Sequence, residues 1–467
     1  MQGRVSNLLG SEYDFLTETL EAVAAEEAGT GQAGGGRRNG GASPGSFRPP
    51  WAIPAPSDRL TEYFDASTVT VSPTQGYGGR EINVLDLRGN PRTRTTKTLP
   101  SLVMVARAVE HIQRTGEGVT LLTPTSANKG TALRDAVLRA IEAGLVDSGR
   151  LNIVTVVPHE ARGKLWSSRL SEDADLAVRN PVAVLPGGRG DDVKRVAKTW
   201  HDQNARRYFE STGARLWYTL DIRNYNVGDA LRARFEHRYL RPVGSRVHVH
   251  AVSSAYGLLG HNFGARLVGD SFAEAARYFL VQHLGTPDMV LHLRHWDHTR
   301  DNLPEYRYHP ESGLYVQRDD PHFPYATGDP REFLESTFYS SAPPTSEVMT
   351  PIIHRQGGGG IVVSLFDCLT RYHEVRGMLA PTGIQLPADP RKLREWSLVM
   401  AMTGMLTALD RGILPNAEDV LVHASGSYST DDFVPIRAER LRGVTDPDDL
   451  TPVMYDAAAS TVTGGTP

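Results

Sequence analysis

Residues 118–145, GVTLLTPTSANKGTALRDAVLRAIEAGL, decide the fold. The opening GVTLLTP is apolar and β-branched without alternation, the pattern of a strand buried on both faces. From Thr131 onward the apolar residues recur at helical spacing. Between the two, Ser126-Ala127-Asn128-Lys129-Gly130 form a turn that ends a strand and opens a helix. Such a turn points backbone N–H groups outward, and with the side chains of Thr125, Ser126 and Asn128 it makes a site for a carboxylate or phosphate. The plainer alternative is capping, with Ser126 or Asn128 satisfying the first helical turn.

The same order of strand, small-residue turn and helix recurs outward from this segment. EINVLDL (81–87), LNIVTVV (151–157), RVHVHAVSS (246–254) and EDVLVHASG (418–426) alternate with helical patterns, which predicts an α/β fold with mainly parallel sheet. NPRTRTTKTLPSLVMVARAVEHI (90–112) places Lys97 between a polar turn and an apolar helix. An ammonium there is disfavoured by the positive helix end, which suits a Schiff-base lysine, although most lysines at helix termini are solvated surface residues. In RVHVHAVSSAYGLLGHNFGARL (246–267), Ser253-Ser254-Ala255-Tyr256-Gly257 forms a second anion-binding turn. EDVLVHASGSY delivers Ser425 to the carboxyl end of a buried strand, where open α/β sheets place ligands.

These points, in this order, resemble the fold type II family of pyridoxal 5′-phosphate (PLP) enzymes, which includes threonine synthase, cysteine synthase, serine dehydratase and the tryptophan synthase β chain. The resemblance spans about Val84 to Pro435. The family's NPTGSFK-like segment matches NPRTRTTK with one extra residue, giving Lys97 the role of cofactor lysine. Its SGNxG-type loop, which grips the substrate carboxylate, resembles Ser126–Gly130 after Thr125, with Asn128 also beside the cofactor. Its glycine-rich phosphate loop is matched in placement by Ser253, Ser254, Ala255, Tyr256 and Gly257, but three glycines are missing. A rival glycine run at 187–190 lies early for that role. REWSLVMAMTGMLTALDRGILPNAEDVLVHASGSY (394–428) resembles the closing helix and last strand, with Glu395 near the cofactor and Ser425 at its ring nitrogen.

The resemblance implies two domains of open, twisted, mainly parallel sheet with helices on both faces. A large PLP-binding domain is expected over 56–115 and 245–455, and a smaller inserted α/β domain over 116–244. It also implies a homodimer acting on an amino acid by β- or γ-elimination or replacement. The departures from the family pattern suggest an uncommon substrate, as in secondary metabolism. The alternative is a relative that keeps the fold as a binding or scaffold protein without catalysis.

Composition sets outer limits. The 467 residues are 40% hydrophobic and 22% charged with formal charge −4, so no overall pull toward nucleic acid or anionic membrane is expected. No long uncharged apolar run and no secretory leader are visible, and Cys368 is the single cysteine, which together read as a soluble cytoplasmic protein. Residues 1–28 read as a helical arm, 29–55 as a Gly/Pro-rich linker and 456–467 as a disordered tail. The segment 291–330, dense in His and aromatics, reads as an insertion or lid. His248 and His250 share one strand face and His292, His295 and His298 recur at spacing three, but neither group brings a clear carboxylate set, so no metal is assigned.

Overall fold

The computed structural model describes residues 3–32, 47–187, 190–417 and 419–458. It contains mainly parallel sheets with helices on both faces, and it divides into two compact units. One comprises residues 1–6, 68–96 and 232–433, the other residues 7–67, 97–231 and 434–467. Residues 97–115 and 434–455, assigned from sequence to the large domain, cluster with the second of these units.

That second unit holds a five-stranded, all-parallel sheet in the order Leu441–Gly443, Val182–Leu185, Leu151–Pro158, Gly118–Pro124, Ala214–Tyr218. Alternate residues of a strand point to opposite faces, and here both faces are covered. Val154, Val156, Ala183 and Leu185 pack with Trp200, Tyr208 and Met454. Val157, Val182 and Val184 pack with Ala127, Ala161 and Leu165. Burial on both faces is why GVTLLTP and LNIVTVV are continuous apolar runs.

The N-terminal helices Leu8–Ser11 and Tyr13–Gln32 bury Leu8, Leu9, Phe15, Leu16, Leu20 and Val23 in this unit. Of the expected linker, residues 33–46 lie outside the described residues, but those after it are tied down. The buried Arg107 guanidinium stacks 3.5 Å from the Trp51 ring centroid and donates to the carbonyls of Pro49 (2.5 Å) and Pro50 (3.0 Å) and to Asn224 (2.6 Å). Of the expected tail, residues 456–458 belong to the helix Leu450–Ala458, and the rest lies outside the described residues.

The first unit holds a seven-stranded sheet. Its order is Gly3–Val5, Val69–Pro73, Ile82–Asp86, Asp419–Ala424, Arg246–Ala251, Ala276–His283, Gly359–Val363. The two strands at the Gly3 edge pair antiparallel and the other five run parallel. The helix Ser397–Asp410 packs on one face, with Met400, Met402, Met405 and Leu406 joining Val249, Val281 and Ile361 in one core. The His-rich stretch opens inside the helix Asp288–His295 and continues into a small antiparallel sheet of Arg307–His309, Leu314–Val316 and Ala326–Thr327. Among the described residues no helix is long and apolar enough to cross a membrane.

Candidate functional site

In the unit that contains residues 97–231, Lys97 is the N-cap residue of the helix Thr98–Thr115, and its Nζ lies 5.5 Å from the ring centroid of Tyr225. The N-cap of the helix Asn128–Glu142 is Ala127, with φ +108, a conformation that costs a non-glycine residue energy and recurs at ligand-binding turns. The Thr125 hydroxyl holds this turn, accepting from the N–H groups of Ala127 (3.1 Å) and Gly130 (3.0 Å). Lys129 is buried and its Nζ makes no hydrogen bond among the described residues. Burial, reinforced by the charges of Lys194 and Lys97, pushes its pKa down to about 7.

In the other unit, Ser253–Gly257 follows the strand Arg246–Ala251 and opens the helix Tyr256–Val268, with Ala255 left-handed at its N-cap. Ser253 Oγ accepts from the Ser340 N–H (3.3 Å), and Ser254 Oγ lies 2.9 Å from Ser340 Oγ. Gly257 has a specific reason to lack a side chain: a Cβ there would stand 2.6 Å from Nη2 and 2.7 Å from Nη1 of Arg232. Arg232 is fully buried, and Nη1 sits 3.4 Å from His423 Nδ1. The loop that lacks the family's glycines thus gathers two serine hydroxyls, a helix N-terminus and a guanidinium, a donor set suited to a phosphate dianion. Arg232 and Ser340 gave no local signal in the sequence, since their neighbours in space lie far along the chain. Of the rival glycine run, Gly188 and Arg189 lie outside the described residues.

Ser425 follows the strand Asp419–Ala424 at its carboxyl end and is buried. Glu395, also buried, packs against the next residue so closely that a Cβ on Gly426 would fall 2.6 Å from its Cγ. Its carboxylate accepts from the Ser397 hydroxyl and lies 3.1 Å from Thr337 Oγ1. Thr337 also lies 2.9 Å from Glu335, a second buried carboxylate, which accepts from the Trp396 N–H at 2.9 Å.

Behind Arg232 runs a buried histidine chain. His248 Nδ1 lies 3.1 Å from His423 Nε2, and His261 bridges Glu236 (2.8 Å) and Tyr278 (2.9 Å). Arg246 pairs with both Glu236 (2.5 Å) and Asp419 (2.9 Å). His248, His261 and His423 carry ligand atoms within 4.8 Å of one another, a metal-like spacing. The hydrogen bonds give them another role: an Arg232 N–H directed at His423 Nδ1 leaves the proton on Nε2, which then donates to His248. Burial holds His248 neutral, down to about 3, and His423 well below the usual histidine range. The partners of His248 include His261, His423 and Glu236, and His250, its neighbour along the strand, packs on the same His423 ring at 5.6 Å. His292 bonds Thr350 Oγ1 at 2.8 Å and stacks against His298 at 4.7 Å, a packing arrangement.

Two solved structures share the fold. A PLP-dependent aspartate racemase matches with TM-score 0.50 and 13% identity over 81% of this chain and 97% of its own. Threonine synthase from Escherichia coli matches with TM-score 0.51 and 14% identity over 82% of this chain and 80% of its own. No curated protein matches the sequence. The family described as "Family of unknown function (DUF6002)" matches residues 5–458, and the chain belongs to it.

Proposed function

We propose that this member of DUF6002 is a PLP-dependent enzyme that acts on an amino acid by β- or γ-elimination or replacement. The observation that carries the reading is the donor set of Ser253, Ser254 and Arg232 at the start of the helix Tyr256–Val268, which fits a phosphate ester. By the resemblance, Lys97, Asn128, Ser253, Ser254 and Ser425 are the residues assigned to the cofactor, and Arg232 joins the two serines. When bound, PLP supplies an electron sink for negative charge developing at the substrate α-carbon.

The chain's own residues divide the remaining work. The Lys97 amine takes the α-proton. The N–H groups of the 125–130 turn orient the substrate carboxylate at the positive helix end. A serine hydroxyl is a neutral partner, so Ser425, as the residue that would face the cofactor's ring, would favour elimination and replacement over reactions needing full delocalisation into the ring.

The test is the visible absorption of the purified protein after addition of PLP, then borohydride reduction and peptide mapping. The expected result is a band and a label on Lys97. Absence of a band, or label scattered over surface lysines, overturns the reading in favour of a non-catalytic scaffold. A label on Lys129, a desolvated amine of the same unit, would move the anchor to that residue.

A further inference from the structure

The group that the proposed reaction leaves unused is Lys129. It is the second residue of a 15-residue helix, only 7% exposed, and its Nζ has no hydrogen-bond partner among the described residues. Two more orphaned polar groups lie near the same helix start. Thr123 and Thr155 face each other across adjacent strands, both fully buried and both with hydroxyls that make no hydrogen bond among the described residues. A Cβ on Gly130 would stand 3.0 Å from Thr155 Cγ2, which sets that threonine under the first turn. Buried polar atoms are nearly always paired, so several left open around one helix terminus mark a place where a polar ligand belongs.

The charges acting on Lys129 give the ligand its sign. They come from Lys97 and from Lys194, and Lys194 is paired with Asp191 at 2.9 Å. The helix terminus adds the positive end of its dipole. A single α-carboxylate is already served by the N–H groups of the 125–130 turn and leaves the Lys129 amine without a partner. We propose that Lys129 recognises a second anionic group on the substrate, so that the enzyme acts on amino acids with a carboxylate or phosphate on the side chain. This inference rests on the amino-acid reading above. A neutral side chain of the same shape fails because it cannot supply the charge that makes burial of an ammonium favourable. Binding of the dianion draws one proton from solvent onto the amine, turning –NH2 into –NH3+ beside the new negative charge.

The test compares ligands of matched shape, L-aspartate against L-asparagine and O-phospho-L-serine against L-serine, by calorimetry on the protein with and without added PLP. Buffers of different ionisation enthalpy at pH 8 report proton uptake. One anionic ligand is expected to bind at least about tenfold more tightly than its neutral counterpart, as a charge-assisted hydrogen bond requires. It should take up close to one proton per site, and the member of the two pairs that does so identifies carboxylate or phosphate. Lys129→Met should abolish both the preference and the proton uptake. Because it removes an unpartnered amine from the interior, it should also raise the melting temperature, which reports a folded variant independently of binding. Equal affinity within both pairs, or a preference that survives Lys129→Met, overturns the inference. A PLP band without charge preference leaves the enzyme assignment standing and removes this one. Charge preference without a band removes the enzyme assignment and, with it, the claim that the anionic amino acid is a substrate.

Discussion

Substituting Gly257 by alanine tests the donor cluster with one methyl group. The added Cβ would lie 2.6 Å from Arg232 Nη2, 2.7 Å from Nη1 and 2.8 Å from Cζ, all far inside van der Waals contact. The guanidinium cannot simply swing into water, because it is fully buried and rests against His423. It must withdraw from the loop or push the helix start outward, and such overpacking costs about 1–3 kcal/mol of stability. Its effect on binding is separable. Loss of a charged hydrogen bond to a phosphate removes about 1.5–3 kcal/mol, an affinity loss of roughly 10- to 150-fold. The assay is a fluorescence titration of wild type and Gly257→Ala with PLP and with pyridoxal, which lacks the phosphate. PLP affinity should fall by that factor while pyridoxal affinity stays level, with urea melts confirming a folded variant. Equal losses for both ligands, or no loss for either, would refute a role for Arg232 in holding phosphate.

Further outcomes follow from the same geometry. Arg107→Ala should destabilise the protein by about 3 kcal/mol, because it empties the stack on Trp51 and orphans the Pro49 and Pro50 carbonyls, and limited proteolysis should then cut near residues 47–56. His248 and His283 are held neutral by burial, down to about 3 and about 4, against about 6.5 in the unfolded chain. Their contribution is present above the unfolded value and is lost as pH falls below it, so urea stability should drop by about 2 kcal/mol per histidine between pH 7.5 and 5. His283→Gln should make that slope shallower; an unchanged slope would contradict the burial. Cys368 is buried and its thiol is pushed well up, so an aromatic disulfide reagent should react with it only at the rate of unfolding.

The parts of this protein that were legible in sequence are those whose physics is local. GVTLLTP and LNIVTVV announce strands covered on both faces, and Lys97 and Asn128 stand where strand and helix patterns meet. The aspartate racemase and threonine synthase likenesses agree with the α/β, mainly parallel architecture read from those runs. What escaped depends on contacts between distant residues. Arg232 sits in the helix Ile222–Tyr239 with nothing nearby to mark it, and only Gly257 reveals its place. Ser340, Glu335 and Thr337 lie in an irregular stretch without periodicity, yet they meet Ser253, Ser254 and Glu395. The form of the 125–130 turn also needed the structure: the strained Ala127 takes the cap position, and the Thr125 hydroxyl accepts from the N–H groups of Ala127 and Gly130. That His248 and His250 share a strand face is visible in sequence as alternation, whereas His261 and His423 are brought in by a helix and by the strand Asp419–Ala424.

The order in which the chain supplies its strands has a consequence for synthesis. The strand Asp419–Ala424 lies in the interior of the seven-stranded sheet, between Ile82–Asp86 and Arg246–Ala251, and Leu441–Gly443 closes one edge of the five-stranded sheet. A nascent chain therefore carries the earlier strands of the larger sheet, apolar and unpaired on one side, until residues 419–424 have left the ribosome. Neither unit has all its strands before then, so fragments ending short of residue 419 should be insoluble however long they are, and chaperone demand during translation should be high.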